Sequence, residues 1–269
     1  MNALHTATDS LRQWILVQRA RQQSNKDILN QLLAYGWPVE TIEAALAERS
    51  ASTIPGPDLS TSPVYIDLGD RCVQVLHTMA HPHIVVFGDL LSAEECDGLI
   101  SAARSRLTRS LAMDVETGVS SVSNTRTSDE MSFERGENAL VSLVEQRIAT
   151  LLRWPVAFAE GLHILRYSPG AEFVPHYDYF SAEGPGSETV LARGGQRIGT
   201  LLIYLQEPER GGSTLFPDVG FEVVPKRGCG VFFSYDKPDP STLTLHGGAP
   251  VLAGEKWVAT KWLHEREFT

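Results

Sequence analysis

From Glu160 to its end, the chain is a series of short β-prone segments separated by turn residues, and this pattern strongly constrains the fold. β-branched, leucine and aromatic residues are frequent in the segments 198–205, 214–216, 221–224, 230–233, 242–245 and 257–263. Such residues favour strands, and regularly spaced short strands with glycine and proline turns are typical of a barrel or a sandwich. We therefore predict a mainly β domain.

Helices are predicted before this region. Ser92 followed by Glu95 is a capping box, which predicts a helix that begins there and runs to about residue 106. Apolar residues at helical spacing predict another helix over residues 139–152. Residues 181–195, rich in glycine, serine and glutamate, predict a flexible loop. The fold class is thus α+β, mainly β with supporting helices.

The N-terminal part has a different pattern. Apolar residues at helical spacing predict short helices between about residues 10 and 49. Residues 51–63 contain much proline and serine and show no periodicity, which is typical of a linker. We predict a helical extension at residues 1–50, a linker at 51–63 and the main domain at 64–269.

Composition excludes several classes of function. The net charge of −10 argues against general binding to nucleic acid or to an anionic membrane surface. No apolar stretch has the length of a membrane span, and the N-terminus lacks a signal-peptide pattern. The three cysteines are too few and too scattered for a disulfide framework or a zinc motif. We expect reduced thiols and a cytoplasmic location.

His176 and Asp178 are the first candidates for chemistry. Aromatic and β-branched neighbours predict a strand here, and side chains at positions i and i+2 of a strand share one face. A His-x-Asp pair alone is more often a surface pair, or an imidazole oriented by the aspartate. Two ligands cannot hold a catalytic metal firmly, so a metal site needs a third from a distant segment, for which His246 is the best candidate. Two histidines and one carboxylate form the facial triad of non-haem Fe(II) oxygenases.

Lys256 is the second candidate. It follows His246 by ten residues, with Pro250 and Gly254 between them, where a turn would return the chain as a neighbouring strand. Its neighbours are apolar, and a buried ammonium group needs an anion. The far carboxylate of an oxo-acid would supply one; alternatively, Lys256 is a solvated surface residue.

Together, these residues resemble the prolyl 4-hydroxylase family of 2-oxoglutarate- and Fe(II)-dependent dioxygenases. The resemblance rests on HYDYF at residues 176–180, GGSTLFP at 211–217, LH at 245–246 and KWVATKWLHE at 256–265, in the family's order and with its step from the second histidine to the lysine. It extends from about residue 84 to 266 and implies a double-stranded β-helix, or jelly roll, as the core.

The resemblance also implies cofactors and their ligands. Fe(II) would be held by His176, Asp178 and His246, with 2-oxoglutarate as cosubstrate, O2 as the oxidant and ascorbate as a candidate reductant. The far carboxylate of 2-oxoglutarate would meet Lys256, and further residues would line its pocket, namely Tyr167, Thr200 and Trp262. Asp178 points to hydroxylation, because related halogenases lack this carboxylate.

A peptide or protein substrate with a target proline is implied in the same way. The resemblance places substrate contacts at Arg126, Ser128, Glu160 and His264, while Arg197 is either structural or close to the peptide. Phe173 stands where the family often has tyrosine, so another target residue or a small molecule stays open. A third hypothesis is a binding protein that works through residues 1–50, by a partner or by self-association.

Overall fold

The structure, a computed structural model, describes residues 23–47, 54–113, 120–122, 127–180 and 187–269, together with Leu11, Trp14, Ile15 and Gln18. The helices in these ranges are α1 (Asn25–Ala34), α2 (Val39–Ala47), α3 (Ala93–Arg104), α4 (Ala139–Leu152) and α5 (Ser187–Gly194), with 3-10 turns at Val156–Phe158, Pro217–Val219 and Pro240–Thr242. Across the same ranges, no helix has both the length and the apolar character needed to cross a bilayer.

The strands of the first half are β1 (Tyr65–Asp67), β2 (Cys72–Met79), β3 (His83–Gly88), β4 (Thr108–Arg109), β5 (Leu111–Met113), β6 (Ser120–Val122) and β7 (Asp129–Ser132). Those of the second half are β8 (His163–Tyr167), β9 (Phe173–His176), β10 (Arg197–Gln206), β11 (Arg210–Gly211), β12 (Thr214–Phe216), β13 (Phe221–Val223), β14 (Gly230–Ser234), β15 (His246–Gly248), β16 (Val251–Ala253) and β17 (Lys256–His264).

Two antiparallel sheets form the framework. The main sheet has nine strands in the order β1-β2-β3-β14-β10-β17-β8-β7-β4, and the smaller one has four in the order β13-β12-β15-β9. Side chains from both sheets, among them Tyr204, Phe216, Phe233 and Val258, share one apolar cluster. The two sheets therefore pack face to face, and the predicted α+β fold with a jelly-roll core is confirmed.

Successive side chains of the central strands pack against apolar clusters on opposite faces of the main sheet. Leu202 and Tyr204 point towards the small sheet, whereas Leu201 and Ile203 belong to a second cluster. That cluster contains the apolar residues of α3 and α4. Successive side chains of a strand point to opposite faces, so the helices cover the back of the sheet and leave its front for the site.

The supporting helices begin and end close to the predicted residues. The capping box is present, because Glu95 N donates to Ser92 Oγ over 3.1 Å and Ser92 N donates to Glu95 Oε2 over 2.8 Å. Helix α4 covers the predicted range and begins after Asn138, whose side chain accepts from Val141 N.

Three local predictions need correction. Residues 187–194 form helix α5 rather than a loop, while 181–186 lie outside the described residues. The predicted strand at 242–245 is absent: Asp239 caps a 3-10 turn that begins at Pro240, and this turn chemistry outweighs the β propensity of threonine and leucine. Finally, β9 ends at His176, so Asp178 lies beyond the strand rather than on it.

The N-terminal helices have an apolar cluster of their own, made of Leu11, Ile15, Ile28, Leu32, Ile42 and Ala45. Of the expected linker, residues 54–63 are described, and Gly56 N donates to Leu152 O over 2.9 Å at the end of α4. The division into an extension, a linker and a main domain stays a prediction.

Candidate active site

The small sheet brings the two candidate histidine ligands together. His176 ends β9 and His246 begins β15, and the two are partners in the antiparallel register. Asp178 lies next to both: its Oδ1 is 3.6 Å from His176 Nε2 and its Oδ2 is 3.4 Å from His246 Nε2. One ligand atom from each of the three lies within 4.8 Å of the others. The predicted set therefore converges on one point.

Hydrogen bonds to the backbone fix the orientation of both imidazole rings. His176 Nδ1 is 2.9 Å from Val174 O, and His246 Nδ1 is 3.0 Å from Thr244 O. A carbonyl oxygen only accepts hydrogen bonds, so each Nδ1 carries a hydrogen, and Nε2 is the nitrogen of each ring that is directed towards Asp178. Metal-binding histidines are commonly held in this way.

Burial and charge favour an anionic carboxylate beside neutral imidazole. Burial would raise the pKa of Asp178, but His246, His176 and Arg197 together hold it well below its usual range. Burial lowers the pKa of His246 to about 4, against the opposing effect of Asp178. His246 is therefore neutral near pH 7, with Nε2 available to a cation.

A cavity opens beside this triad. One wall is β17, whose alternate residues Lys256, Val258, Thr260 and Trp262 face the cavity. The remaining lining comes from β8, β9, β10, β12, β15 and the segment after β9, and consists of Leu165, Tyr167, Phe173, His176, Asp178, Leu202, Thr214, His246, Gly247 and Gly248. The predicted ligands and the predicted anchor thus share one cavity.

Lys256 lies in the cavity as a buried cation. Only 4% of its surface is exposed, and its Nζ lies 5.5 Å from the ring centre of Tyr167 and 5.7 Å from that of Tyr204. Burial lowers the pKa of its ammonium group to about 7. Among the described residues no carboxylate pairs with it, so a bound anion would relieve the cost of burying the charge.

Two residues that line the cavity each bury a polar side-chain atom without a partner in the described part of the chain, namely Thr260 Oγ1 and Trp262 Nε1. Buried polar groups in native proteins nearly always have a hydrogen-bond partner, so each such atom calls for an explanation. A small oxo-acid offers acceptors for both and an anion for Lys256. The residues present therefore fit 2-oxoglutarate.

The contact of Thr200 with 2-oxoglutarate stays a prediction. Thr200 is not among the residues that line the cavity. Its hydroxyl instead donates to Asp178 Oδ2 over 2.7 Å and lies 3.1 Å from the hydroxyl of Tyr235. Thr200 therefore contacts a candidate metal ligand directly.

Glu160 is bound to both Arg197 and His264. Arg197 Nε donates to Glu160 Oε1 over 2.7 Å, and His264 Nε2 lies 2.9 Å from the same oxygen. Burial would raise the pKa of Glu160, but Arg197 and His264 lower it to about 2. His264 is fully buried. Neither Glu160 nor His264 lines the cavity, and their contact with a substrate stays a prediction.

The other substrate predictions have different outcomes. Ser128 is buried, and its hydroxyl lies 2.8 Å from that of Ser110. Arg126 lies outside the described residues. Phe173 lines the cavity and stacks on His176 with a centroid distance of 3.7 Å. Of the two described residues, Ser128 and Phe173, it is Phe173 that is placed against a candidate metal ligand.

Several lining residues were missed by the sequence reasoning, namely Leu165, Leu202, Thr214, Val258 and Thr260. Alternation from Lys256 would have found Val258 and Thr260, because side chains two and four residues along a strand share a face. The others come from distant strands, and the strand spacing alone carried no signal for them.

Comparisons with known proteins agree with the geometry. Residues 162–264 match the family model described as the 2OG-Fe(II) oxygenase superfamily. Prolyl 4-hydroxylase 5 of Arabidopsis thaliana is 37% identical over 221 residues, which cover 74% of this chain and 74% of the relative. Prolyl 4-hydroxylase 1 of the same plant is 38% identical over 204 residues, covering 69% and 70% of the two chains.

Among solved structures, the 2OG complex of a viral collagen prolyl hydroxylase from Paramecium Bursaria Chlorella virus-1 is similar, with a TM-score of 0.50 and 29% identity. The similarity covers 66% of this chain and 94% of that one. The jelly roll with its His-Asp-His cluster is thus that of a 2-oxoglutarate- and Fe(II)-dependent oxygenase. Within this class, the chain belongs to the prolyl 4-hydroxylase family.

Proposed function

We propose that the protein hydroxylates proline in a peptide or protein, using Fe(II), 2-oxoglutarate and O2. The observation that carries this proposal is the meeting, in one cavity, of a His-Asp-His cluster and a buried lysine that pairs with no carboxylate among the described residues. The first element is a set of ligands for a catalytic divalent metal, and the second is a site for a carboxylate.

Each residue then has a defined task. His176, Asp178 and His246 would hold Fe(II), and Lys256 would pair with the carboxylate of 2-oxoglutarate that lies far from the metal. Thr260 and Trp262 would offer hydrogen bonds to the same molecule, while the apolar side chains of Leu165, Leu202 and Val258 exclude water. When bound, Fe(II) and 2-oxoglutarate supply the oxidising chemistry, which yields succinate, CO2 and a hydroxylated product.

Peptidyl proline is proposed as the target because the similar proteins are named prolyl 4-hydroxylases or a collagen prolyl hydroxylase. Phe173 bears on whether proline is the target residue. Its ring covers His176 but carries no hydroxyl, whereas the family often has tyrosine here. A substrate that needs a hydrogen bond at this position would be bound poorly.

The test of this function is turnover with a proline-containing peptide. Purified protein, Fe(II), 2-oxoglutarate and a proline-rich peptide should yield succinate together with a peptide heavier by one oxygen atom. Lys256→Ala should need far more 2-oxoglutarate. Succinate formation without peptide modification would support the dioxygenase activity but indicate that the target is another residue or a small molecule. No turnover with any substrate class, in a protein that binds Fe(II), would contradict the proposal.

Three further points belong to the proposal. Ascorbate as a reductant is supported by the family resemblance. A cytoplasmic location is supported by the three cysteines, all free thiols, namely Cys72, Cys96 and Cys229. A partner or self-association through residues 1–50 is supported by the exposed apolar side chains of Leu33, Tyr35 and Val39 in and between α1 and α2.

A further inference from the structure

Asp178 is held differently from the two histidines. His176 and His246 belong to paired strands, but Asp178 lies two residues beyond the end of β9. A strand therefore does not fix its side chain, and the final torsion angle of an aspartate has a broad distribution. Some other contact must set the plane of this carboxylate if it is to serve as a metal ligand.

Thr200 supplies that contact from the main sheet. It lies on β10, where it pairs with Phe233 of β14 on one side and Trp262 of β17 on the other. Its side chain is fully buried, and its hydroxyl is 2.7 Å from Asp178 Oδ2. Threonine is β-branched, so its first side-chain torsion is restricted. The hydroxyl is thus presented from a rigid central strand.

The direction of the hydrogen bonds follows from chemistry. An ionised carboxylate only accepts, so Thr200 donates to Asp178 Oδ2. The Thr200 oxygen, 3.1 Å from the Tyr235 hydroxyl, then accepts from Tyr235. Burial and, as a smaller effect, the negative charge of Asp178 raise the pKa of Tyr235 well above that of a free tyrosine. The Tyr235 hydroxyl therefore keeps its hydrogen.

Tyr235 is itself anchored. It follows β14, its side chain is 2% exposed, and its backbone N donates to Ile198 O over 3.1 Å. The main-chain oxygen of Asp178 lies 3.4 Å from Arg197 Nη1, which adds a second, longer contact from the same sheet. The carboxylate ligand is thus tied to the main sheet, whereas the histidines belong to the small one.

We propose that Tyr235 and Thr200 form a positioning relay, Tyr235 to Thr200 to Asp178, which sets the carboxylate plane so that one oxygen rather than both binds the metal. This inference rests on the proposed function, since it needs a metal at the triad. Binding through one oxygen leaves coordination positions for 2-oxoglutarate and O2. Neither relay residue is among those that line the cavity, and both act through Asp178.

The experiment measures metal binding rather than turnover. Co(II) replaces Fe(II) because it is stable in air, and its d–d absorption reports coordination number. Without 2-oxoglutarate or peptide, Thr200→Val should bind Co(II) about 10- to 100-fold more weakly than wild type, the usual effect of losing a hydrogen bond to a ligand. Its d–d band should also change, because a freed carboxylate can bind through two oxygens. Thr200→Ser should restore most of the affinity, and Tyr235→Phe should weaken binding less than Thr200→Val.

The chain offers a matched control. Tyr204 and Thr214 form a second buried tyrosine–threonine pair, with hydroxyl oxygens 2.7 Å apart. Thr214→Val and Tyr204→Phe remove equivalent groups near the same cavity without touching Asp178. Both should bind Co(II) with the affinity and spectrum of wild type.

Two failures can be told apart. If wild type binds Co(II) and His246→Ala does not, but Thr200→Val matches wild type in affinity and spectrum, the relay is overturned while the metal site stands. If wild type shows no Co(II) binding that depends on His246, both the proposed function and the relay are contradicted. Should Thr200→Val fail to fold by near-UV circular dichroism, Tyr235→Phe decides: wild-type binding in that variant contradicts the relay.

Discussion

His246 lies directly opposite His176 in the antiparallel pairing of β15 with β9, and their imidazole rings are 4.4 Å apart. The distance between the two candidate ligands is therefore set by the spacing of two hydrogen-bonded strands. Asp178 completes the set from outside the sheet, where a side chain of the main sheet holds it. The metal site depends on both sheets, so changes in either one should alter metal binding.

Gly247 controls how closely β15 approaches β9. A β-carbon at this position would lie 2.8 Å from Phe173 O and 3.0 Å from Pro175 N, both of which are backbone atoms. Gly247→Ala should therefore push the strands apart and weaken Co(II) binding about tenfold or more, by analogy with the loss of other supporting contacts. Titration followed by visible absorption measures this.

Gly248 is the control for this substitution. A β-carbon there meets its nearest atom at 3.8 Å, which is an ordinary contact. Gly248→Ala should bind Co(II) like wild type. Equal affinities for the two alanine variants would contradict a metal site set by strand spacing.

Lys256 should make 2-oxoglutarate binding depend on pH. Burial lowers the pKa of its ammonium group in the free protein to about 7, and a bound carboxylate should raise it again. Above about pH 7 the free lysine is mostly neutral, so binding of 2-oxoglutarate takes up a proton, and affinity falls as pH rises. Well below pH 7 the lysine is already charged, so the binding of 2-oxoglutarate should take up no proton.

Calorimetry of the anaerobic Fe(II) form, in two buffers with different ionisation enthalpies, measures this uptake. At pH 8 wild type should take up close to one proton per 2-oxoglutarate, and Lys256→Ala should take up none. Proton release on binding would refute the role of Lys256.

The lowered pKa of Lys256 also affects folding stability. The folded-state pKa lies below the ordinary value of 10.5, so from Lys256 alone the stability of the free protein should rise with pH between about 7 and 10.5.

Glu145 and Lys261 form a buried ion pair between α4 and β17. Their side chains are each 2% exposed, and Glu145 Oε2 also accepts from Gly136 N over 2.8 Å. Lys261→Met alone leaves a buried carboxylate without its cation and should cost about 3–5 kcal/mol of unfolding free energy. The double variant Glu145→Leu with Lys261→Met should recover most of that loss, as urea denaturation would show.

The exposed pair of Arg106 and Glu137 is the comparison for this experiment. Glu137→Gln should hardly shift the urea midpoint, because solvent screens surface ion pairs. A double core variant no more stable than Lys261→Met alone would mean that packing, rather than the unpaired charge, causes the loss.

The sequence could predict those parts of the site that depend on short spacings. His176 and Asp178 are close in sequence, and Lys256 lines the same cavity as His246. The expectation that Lys256 returns on a strand neighbouring that of His246 is wrong, because β16 intervenes and β17 belongs to the main sheet, opposite β15 in the small sheet. Thr200 could be named from the family resemblance, but its contact with Asp178 could not. That contact joins β10 to a segment beyond β9 and depends on how two sheets pack, which residue spacing does not encode.

The same limit explains the errors in the fold. The segment 242–245 has strand-forming residues, yet Asp239 and Pro240 begin a 3-10 turn just before it. Residues 187–194 looked like a loop beside a glycine-rich stretch, but they form α5, with Glu188 in its first turn and Arg193 in its last. At Asp239 a local capping signal outweighed strand propensity, and in α5 the charges at the two ends complement the helix dipole.

The most direct test of the site is the complex of Fe(II) with 2-oxoglutarate in the absence of O2. Titration of 2-oxoglutarate into the Fe(II) protein should produce a saturable visible charge-transfer band. The band should be lost in His246→Ala, and in Lys256→Ala it should need much more 2-oxoglutarate to saturate. A folded wild-type protein that shows no band would contradict the assignment of His176, Asp178, His246 and Lys256 as one oxygenase site.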